Sequence, residues 1–289
     1  MLNTGVKSHG GHIYKMAVLQ CSGDWQWLAK AGHLNRSYSN VEKRPRRVGA
    51  APRGICHLCQ AGQVHMDWEN FRADRVPPWW STRFVECAFD RQPALCRVPY
   101  VAGEAEGFFV YDLFHSHHLG LGKTFTAACL ALMSEKMSSS TVDGRFEELT
   151  HGYLQFCAET RQAPYLTTIS KMTIGWPDKQ QFPNGQWSKG HVTVSIGDYF
   201  ASWAARQDFS DDHDDMLRLC RDANILVSRC FRMLYERDLW MTRDDASVIS
   251  GLALSFLDAY RQLAKLASDR SKNRRHMRLR RSSSRSNTA

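Results

Sequence analysis

The chain of 289 residues has no apolar run approaching the ~20 residues a helix needs to cross a bilayer, which excludes a membrane-spanning helix as a reading. Met1 to Gly11 is polar and glycine-rich with no apolar h-region, so no secretory signal is expected and an intracellular location, nucleus or cytoplasm, follows. Acidic residues are missing from both ends. None occurs among the 23 residues ahead of Asp24, and none from Arg270 to Ala289. There is no internal repeat and no second C-x-x-C pair. The nine cysteines are irregularly spaced and odd in number, which argues for reduced thiols rather than a disulfide framework.

What is present reads as an ordinary globular composition, 43% hydrophobic and 23% charged. The net charge of +9 is concentrated at the end of the chain. Arg270, Lys272, Arg274, Arg275, Arg278, Arg280, Arg281 and Arg285 supply most of it, leaving about +1 for the remainder. A nucleic-acid partner is therefore expected through this tail, helped by a local basic cluster at Arg36, Lys43, Arg44, Arg46, Arg47 and Arg53.

Periodicity divides the chain into four stretches. Residues 1–54 read as a strand over His12 to Cys21, stopped by Ser22-Gly23-Asp24, then a short helix over Trp25 to Ala31 and a basic loop. Residues 55–118 are irregular, aromatic-rich and dotted with Cys and His, so something besides helix packing must order them. Residues 119–269 read as a helical domain: Leu119 to Lys136, a helix from Ser140-x-x-Asp143 through Cys157, His191 to Ala205, and two long amphipathic helices forming a hairpin. In the hairpin, Met216, Leu219, Cys220, Ala223, Leu226, Val227, Cys230 and Leu234 line one face. Ile249, Leu252, Ala253, Phe256, Leu257, Tyr260, Leu263 and Ala264 line the other, with Thr242-x-x-Asp245 as its cap. Cys129, Cys157, Cys220 and Cys230 fall on apolar faces and read as core. Residues 270–289 read as a disordered basic tail. The fold class expected is mostly α with a small β component.

Several motifs carry chemistry, each with a plainer alternative. Cys56-His57-Leu58-Cys59 can grip one tetrahedral zinc ion from a tight turn, but needs two further ligands. His65, Cys87, Cys96, His115, His117 and His118 are the candidates, and two unligated cysteines in a packed turn are the alternative. Asp112-Leu113-Phe114-His115 puts a carboxylate and an imidazole three apart, able to face one ion or simply to pair. Gly120-Leu121-Gly122-Lys123-Thr124 lacks the P-loop glycine, since position 117 is histidine; the glycines read instead as a close turn into the next helix, and no nucleotide is expected. Asp24 reads as a helix cap, or as a metal-binding carboxylate at a strand end. Asp208, Asp211, Asp212, Asp214 and Asp215 read as a solvated helix N-terminus.

Taken in order, Gly23-Asp24, Cys56-x-x-Cys59 and Asp112-x-x-His115 followed by Leu119-Gly120 resemble the catalytic region of cut-and-paste DNA transposases of the CACTA and related superfamilies. The stretches GDWQWL, CHLCQAG, FFVYDLFHSHHLGLGK and FPNGQWSKG also resemble a multicopy family of protist proteins without a known activity. The transposase resemblance implies a ribonuclease H-like core, here a partial sheet remnant beside a large helical region. It places Asp24 as the second carboxylate of a D-D-E triad, catalytic if the triad were whole. Cys56, Cys59, Asp112, His115 and His118 become metal candidates, and Arg274, Arg275, Arg278, Arg280 and Arg281 nucleic-acid contacts. No Asp or Glu precedes Asp24, and a basic Ser/Arg stretch stands where the glutamate belongs. The expectation is thus a truncated, inactive transposase-derived protein that binds zinc and nucleic acid, with magnesium only if the carboxylates were complete. The alternative is a zinc-stapled helical interaction module without DNA chemistry.

Overall fold

The computed structural model describes residues 6–14, 20–41, 53–69, 74–97, 103–176, 182–209, 214–238 and 240–285, with side chains as far as residue 270. It is mostly helical with a small β component. The chain divides into two compact units, Met1–His115 and Ser116–Ala289.

Among the described residues, the first unit holds all the strands. β1 (Val6–Lys7) and β2 (Ile13–Tyr14) form a short antiparallel hairpin. β3 (Cys21–Gly23) pairs in parallel with β4 (Phe109–Tyr111), Cys21 opposite Phe109 and Gly23 opposite Tyr111. The strand expected over His12 to Cys21 is therefore not one element. Residues 15–19 lie outside the described residues, and β3 runs through Ser22 and Gly23, because β4 offers those backbone groups partners that no local turn signal could anticipate. α1 (Trp25–Ala31) follows at once, and its Trp25 and Leu28 bury against Phe108 and Phe109. Gly32 ends α1 where a Cβ would stand 2.8 Å from the Phe109 ring, so only glycine lets the chain pass this close. Residues between α1 and β4 make single turns of 3-10 helix at Tyr38–Asn40, Pro78–Thr82, Ala94–Arg97 and Ala105–Phe108.

The regular structure described in the second unit is all helical, joined by irregular connections such as residues 160–176 and 182–189. α2 (Gly122–Ser134), α3 (Val142–Glu159), α4 (Gly190–Ala204), α5 (Asp215–Glu236) and α6 (Arg243–Arg285) follow the apolar periodicity. α2 packs on α3, α4 and α5, and α5 pairs with α6 as a helical hairpin. Cys129, Cys157, Cys220 and Cys230 are all buried, as their positions on apolar faces imply. Thr242 caps α6 by accepting the Asp245 N–H at 3.1 Å. α3 is capped by Thr141 rather than Ser140, and Glu148 reaches back to the Ser138 and Ser139 N–H groups.

Two expectations change here. Asp214 is not solvated: it is 4% exposed and its carboxylate lies 2.5 Å from Lys136 Nζ, while Asp211 and Asp212 lie outside the described residues. A buried carboxylate needs such a partner, and Lys136 extends from the end of α2 to provide it. The helix α6 also continues as far as Arg285, although composition predicts no regular structure beyond residue 269. After Gly251 the chain holds neither Gly nor Pro, so a helix seeded by the packed part propagates at one hydrogen bond per residue added.

Candidate functional site

The site builds up from the parallel strand pair. The β3–β4 register sets Gly23 opposite Tyr111, so Asp24 and Asp112, each one residue further on, leave adjacent strands at the same end. Each carboxylate is then used by the turn that follows it. Asp24 caps α1, its Oδ1 accepting the Trp27 N–H at 3.0 Å. Asp112 Oδ1 accepts the Phe114 N–H at 2.8 Å, and its Oδ2 accepts from His115 Nδ1 at 2.6 Å. That imidazole contact, with the backbone donors, holds the Asp112 carboxyl below its ordinary value. The D-x-x-H motif is thus a closed local pair with a partly exposed His115 ring.

The Cys56–Cys59 loop packs beside the same strand pair. His57 between the thiols is fully buried and donates its Nε2–H to the Phe109 carbonyl at 2.7 Å, tying the loop to β4. Its ring sits 4.7 Å from Trp25 and edge-on to Tyr111 at 5.5 Å, while Trp25 and Tyr111 stack at 4.1 Å. Burial pushes the His57 imidazole down to about 4, so it is neutral, with Nδ1 as a buried acceptor lacking a hydrogen-bond partner. Cys59 is 3% exposed and Cys56 is half-buried. The neighbouring Cys59 thiol draws Cys56 down to about 6, helped by backbone N–H groups of Leu58 and Cys59, and Cys59 is raised above its ordinary value.

What orders this irregular segment is a set of hydrogen bonds from distant residues. Ile55 N–H donates to the Ala61 carbonyl at 2.8 Å and closes the loop, and the Phe84 N–H donates to the Leu58 carbonyl at 2.8 Å. Gly54 and Gly62 take φ of 85° and 83°, as the loop ends require. Arg36, 3% exposed, donates to the His57 carbonyl at 3.3 Å, to the Glu86 carbonyl at 2.8 Å and to the Glu86 carboxylate at 3.0 Å. Charge alone groups Arg36 with the basic cluster. It is instead a buried strut, because its terminal guanidinium nitrogens donate to carbonyls of residues 57 and 86 that a turn without regular structure leaves open. Nothing local to residue 36 signals Glu86, 50 residues away in sequence. Lys43, Arg44, Arg46 and Arg47 lie outside the described residues.

The donor set does not fit a closed zinc site. Two thiols supply half a tetrahedron, and His57 turns its N–H to a backbone carbonyl. Asp112 and His115 satisfy each other. His118 belongs to the second unit, where its Nε2 is 3.1 Å from the Tyr235 hydroxyl and its ring lies on Phe231. Among the described residues, no three His, Cys, Asp or Glu side chains are gathered to hold an ion. These side chains therefore make no complete seat for zinc or for paired magnesium.

The glycine-rich stretch before α2 shows the close turn its composition implies. Gly122 starts α2 where a Cβ would stand 2.5 Å from His117 Nε2. His117, half-buried against Phe231 and Phe256, is pushed down to about 4 by desolvation. Beside α1 in the first unit, a cleft of about 760 Å³ is lined by Lys30, His33, Arg53 and Arg91, with Asp90. Arg91 Nε donates to His33 Nε2 at 3.0 Å there. The side chains of Arg274, Arg275, Arg278, Arg280 and Arg281 lie outside those described, though their backbone belongs to α6.

No protein-family model matches the chain, and neither a curated protein nor a solved structure matches it. No helix among the described residues is long and apolar enough to cross a membrane.

Proposed function

We propose that the chain is a transposase-related protein that binds nucleic acid through clustered cations without cutting it. The observation that supports the relationship is the convergence of three separated motifs. Asp24 and Asp112 leave adjacent parallel strands at one end, and His57 ties the loop of Cys56 and Cys59 to Phe109 of the same strand pair. The absence of cutting follows from counting oxygens. Two-metal phosphodiester chemistry needs several converging carboxylates, and these two are each engaged in capping or pairing with their own turn. Binding rests on charge: eight basic residues without one acid in residues 270–289, and the Lys30, Arg53 and Arg91 side chains around the cleft.

The test is titration of the full chain into a labelled DNA duplex, read by fluorescence anisotropy from 50 to 200 mM salt. If all eight tail cations meet phosphates, the log–log slope is roughly −7. Deleting residues 271–289 should remove most of that slope while the packed part of α6 stays. Unchanged affinity at low salt after the deletion would refute the tail's role. Cleavage with magnesium or manganese that is lost in Asp24→Ala would refute the non-cutting reading.

A further inference from the structure

We infer that the cleft beside α1 in the first unit binds a phosphomonoester, carried by the end of a nucleic-acid strand or by a mononucleotide. This deepens the proposed nucleic-acid binding and rests on it only for the strand as carrier. The cleft is assembled from three separate stretches of chain, fixed to one another by hydrogen bonds. The Asp90 N–H donates to the His33 carbonyl and the Asn35 N–H to the Ala88 carbonyl, both at 2.8 Å, so residues 33–35 run beside 88–90. Asn40 Nδ2 donates to the Asn35 carbonyl at 3.4 Å and to the Gly54 carbonyl at 3.0 Å, which brings Arg53 to the same rim. Lys30 joins them from the last turn of α1. Residues remote in sequence thus deliver three cations to one hollow of about 760 Å³, a volume within the range of small-ligand sites.

These cations are open to a ligand. Lys30, Arg53 and Arg91 are exposed, and none of them forms an ion pair among the described residues. Asp90 is the one carboxylate on the described lining, which leaves an excess of about two positive charges. A phosphomonoester near neutral pH carries about that charge with the opposite sign, whereas a diester within a strand carries half of it. The neighbouring Glu86 carboxylate is already taken by Arg36 and Gln63. Arg91 Nε donates to His33 Nε2 at 3.0 Å, which holds the guanidinium at the rim. Its terminal nitrogens make no hydrogen bond among the described residues and can give the forked contact that phosphate oxygens accept.

The test has two arms, both on the full chain at physiological salt. In the first, fluorescence anisotropy compares two 3′-labelled single strands of one sequence, one 5′-phosphorylated and one 5′-hydroxyl. In the second, calorimetry compares adenosine 5′-monophosphate with adenosine. The phosphorylated member should bind about tenfold more tightly, the worth of one or two hydrogen bonds to a charged group. Arg91→Gln, and separately Lys30→Gln, should bring that ratio close to one, whatever happens to the affinity the two members share. A phosphate preference in the first arm alone assigns the site to strand ends, and one in the second arm assigns it to the free mononucleotide. Mononucleotide binding without binding of either strand would sink the nucleic-acid reading and leave this one standing. Two results overturn the inference: no phosphate preference in either arm, or a preference that survives both substitutions.

Discussion

Acid should destabilise the first unit through one buried ring. His57 is fully buried and its imidazole is pushed from an ordinary 6.5 down to about 4, first by burial and then by the nearby Arg36 charge, against the opposing Phe109 carbonyl and Glu106. In the unfolded chain the ring takes its proton as pH falls below 6.5; in the folded chain it does so only near 4. The unfolded state thus binds more protons throughout that window, and stability falls as the pH does. The contribution is complete above 6.5. A tenfold difference in proton affinity between the two states is worth about 1.4 kcal/mol, so the loss between pH 6.5 and 4 approaches roughly 3 kcal/mol. His117 in the second unit is pushed down to about 4 as well, so the wild-type curve alone does not isolate His57. His57→Gln keeps an amide N–H that can reach the Phe109 carbonyl and cannot titrate. Urea unfolding followed by tryptophan fluorescence, at steps from pH 7.5 to 4, gives the stability of both proteins. The wild-type advantage should shrink by about 3 kcal/mol across the series. A difference that holds constant with pH would refute the burial argument for His57.

The helical unit offers two sharper tests of packing. Tyr153 is buried with its hydroxyl 2.9 Å from Ser195 Oγ and accepting the Tyr165 N–H at 3.2 Å. Tyr153→Phe strands those partners and should cost about 1–3 kcal/mol in a thermal melt, and a change within error would mean water replaces the hydroxyl. Gly122→Ala ought to be stabilising on helix propensity alone, yet its Cβ would press on His117, whose ring is backed by Phe231 and Phe256. A loss of about 1–3 kcal/mol is expected in chemical denaturation, and a gain would show that the ring can move aside.

Elements whose cause is local were legible in the sequence. α1 spans the expected Trp25 to Ala31, because Asp24 and the apolar spacing lie within a few residues. Thr242 caps α6 for the same reason, whereas the start of α3 slips from Ser140 to Thr141 because neighbouring hydroxyls compete for one role. The apolar repeat on α5 points to the buried face but does not foresee Asn224, which is buried and donates to the Gly197 carbonyl at 3.0 Å. In the first unit the decisive contacts are remote. Asp112 and His115 were readable as a pair because they are three residues apart. Arg36 with Glu86, and His57 with Phe109, lie 50 and 52 residues apart, and no periodicity reports such bonds.

The β3–β4 ladder joins residues 88 positions apart, with three residues on each strand to reward the closure. Closing a loop of that length costs about 2 kcal/mol more chain entropy than closing a short connection like the one between α5 and α6. The helical hairpin can zip from its own corner, while the strand pair must wait until the turns between 24 and 108 have drawn its halves together. On the ribosome, β3 therefore emerges early and spends most of its wait without its mate.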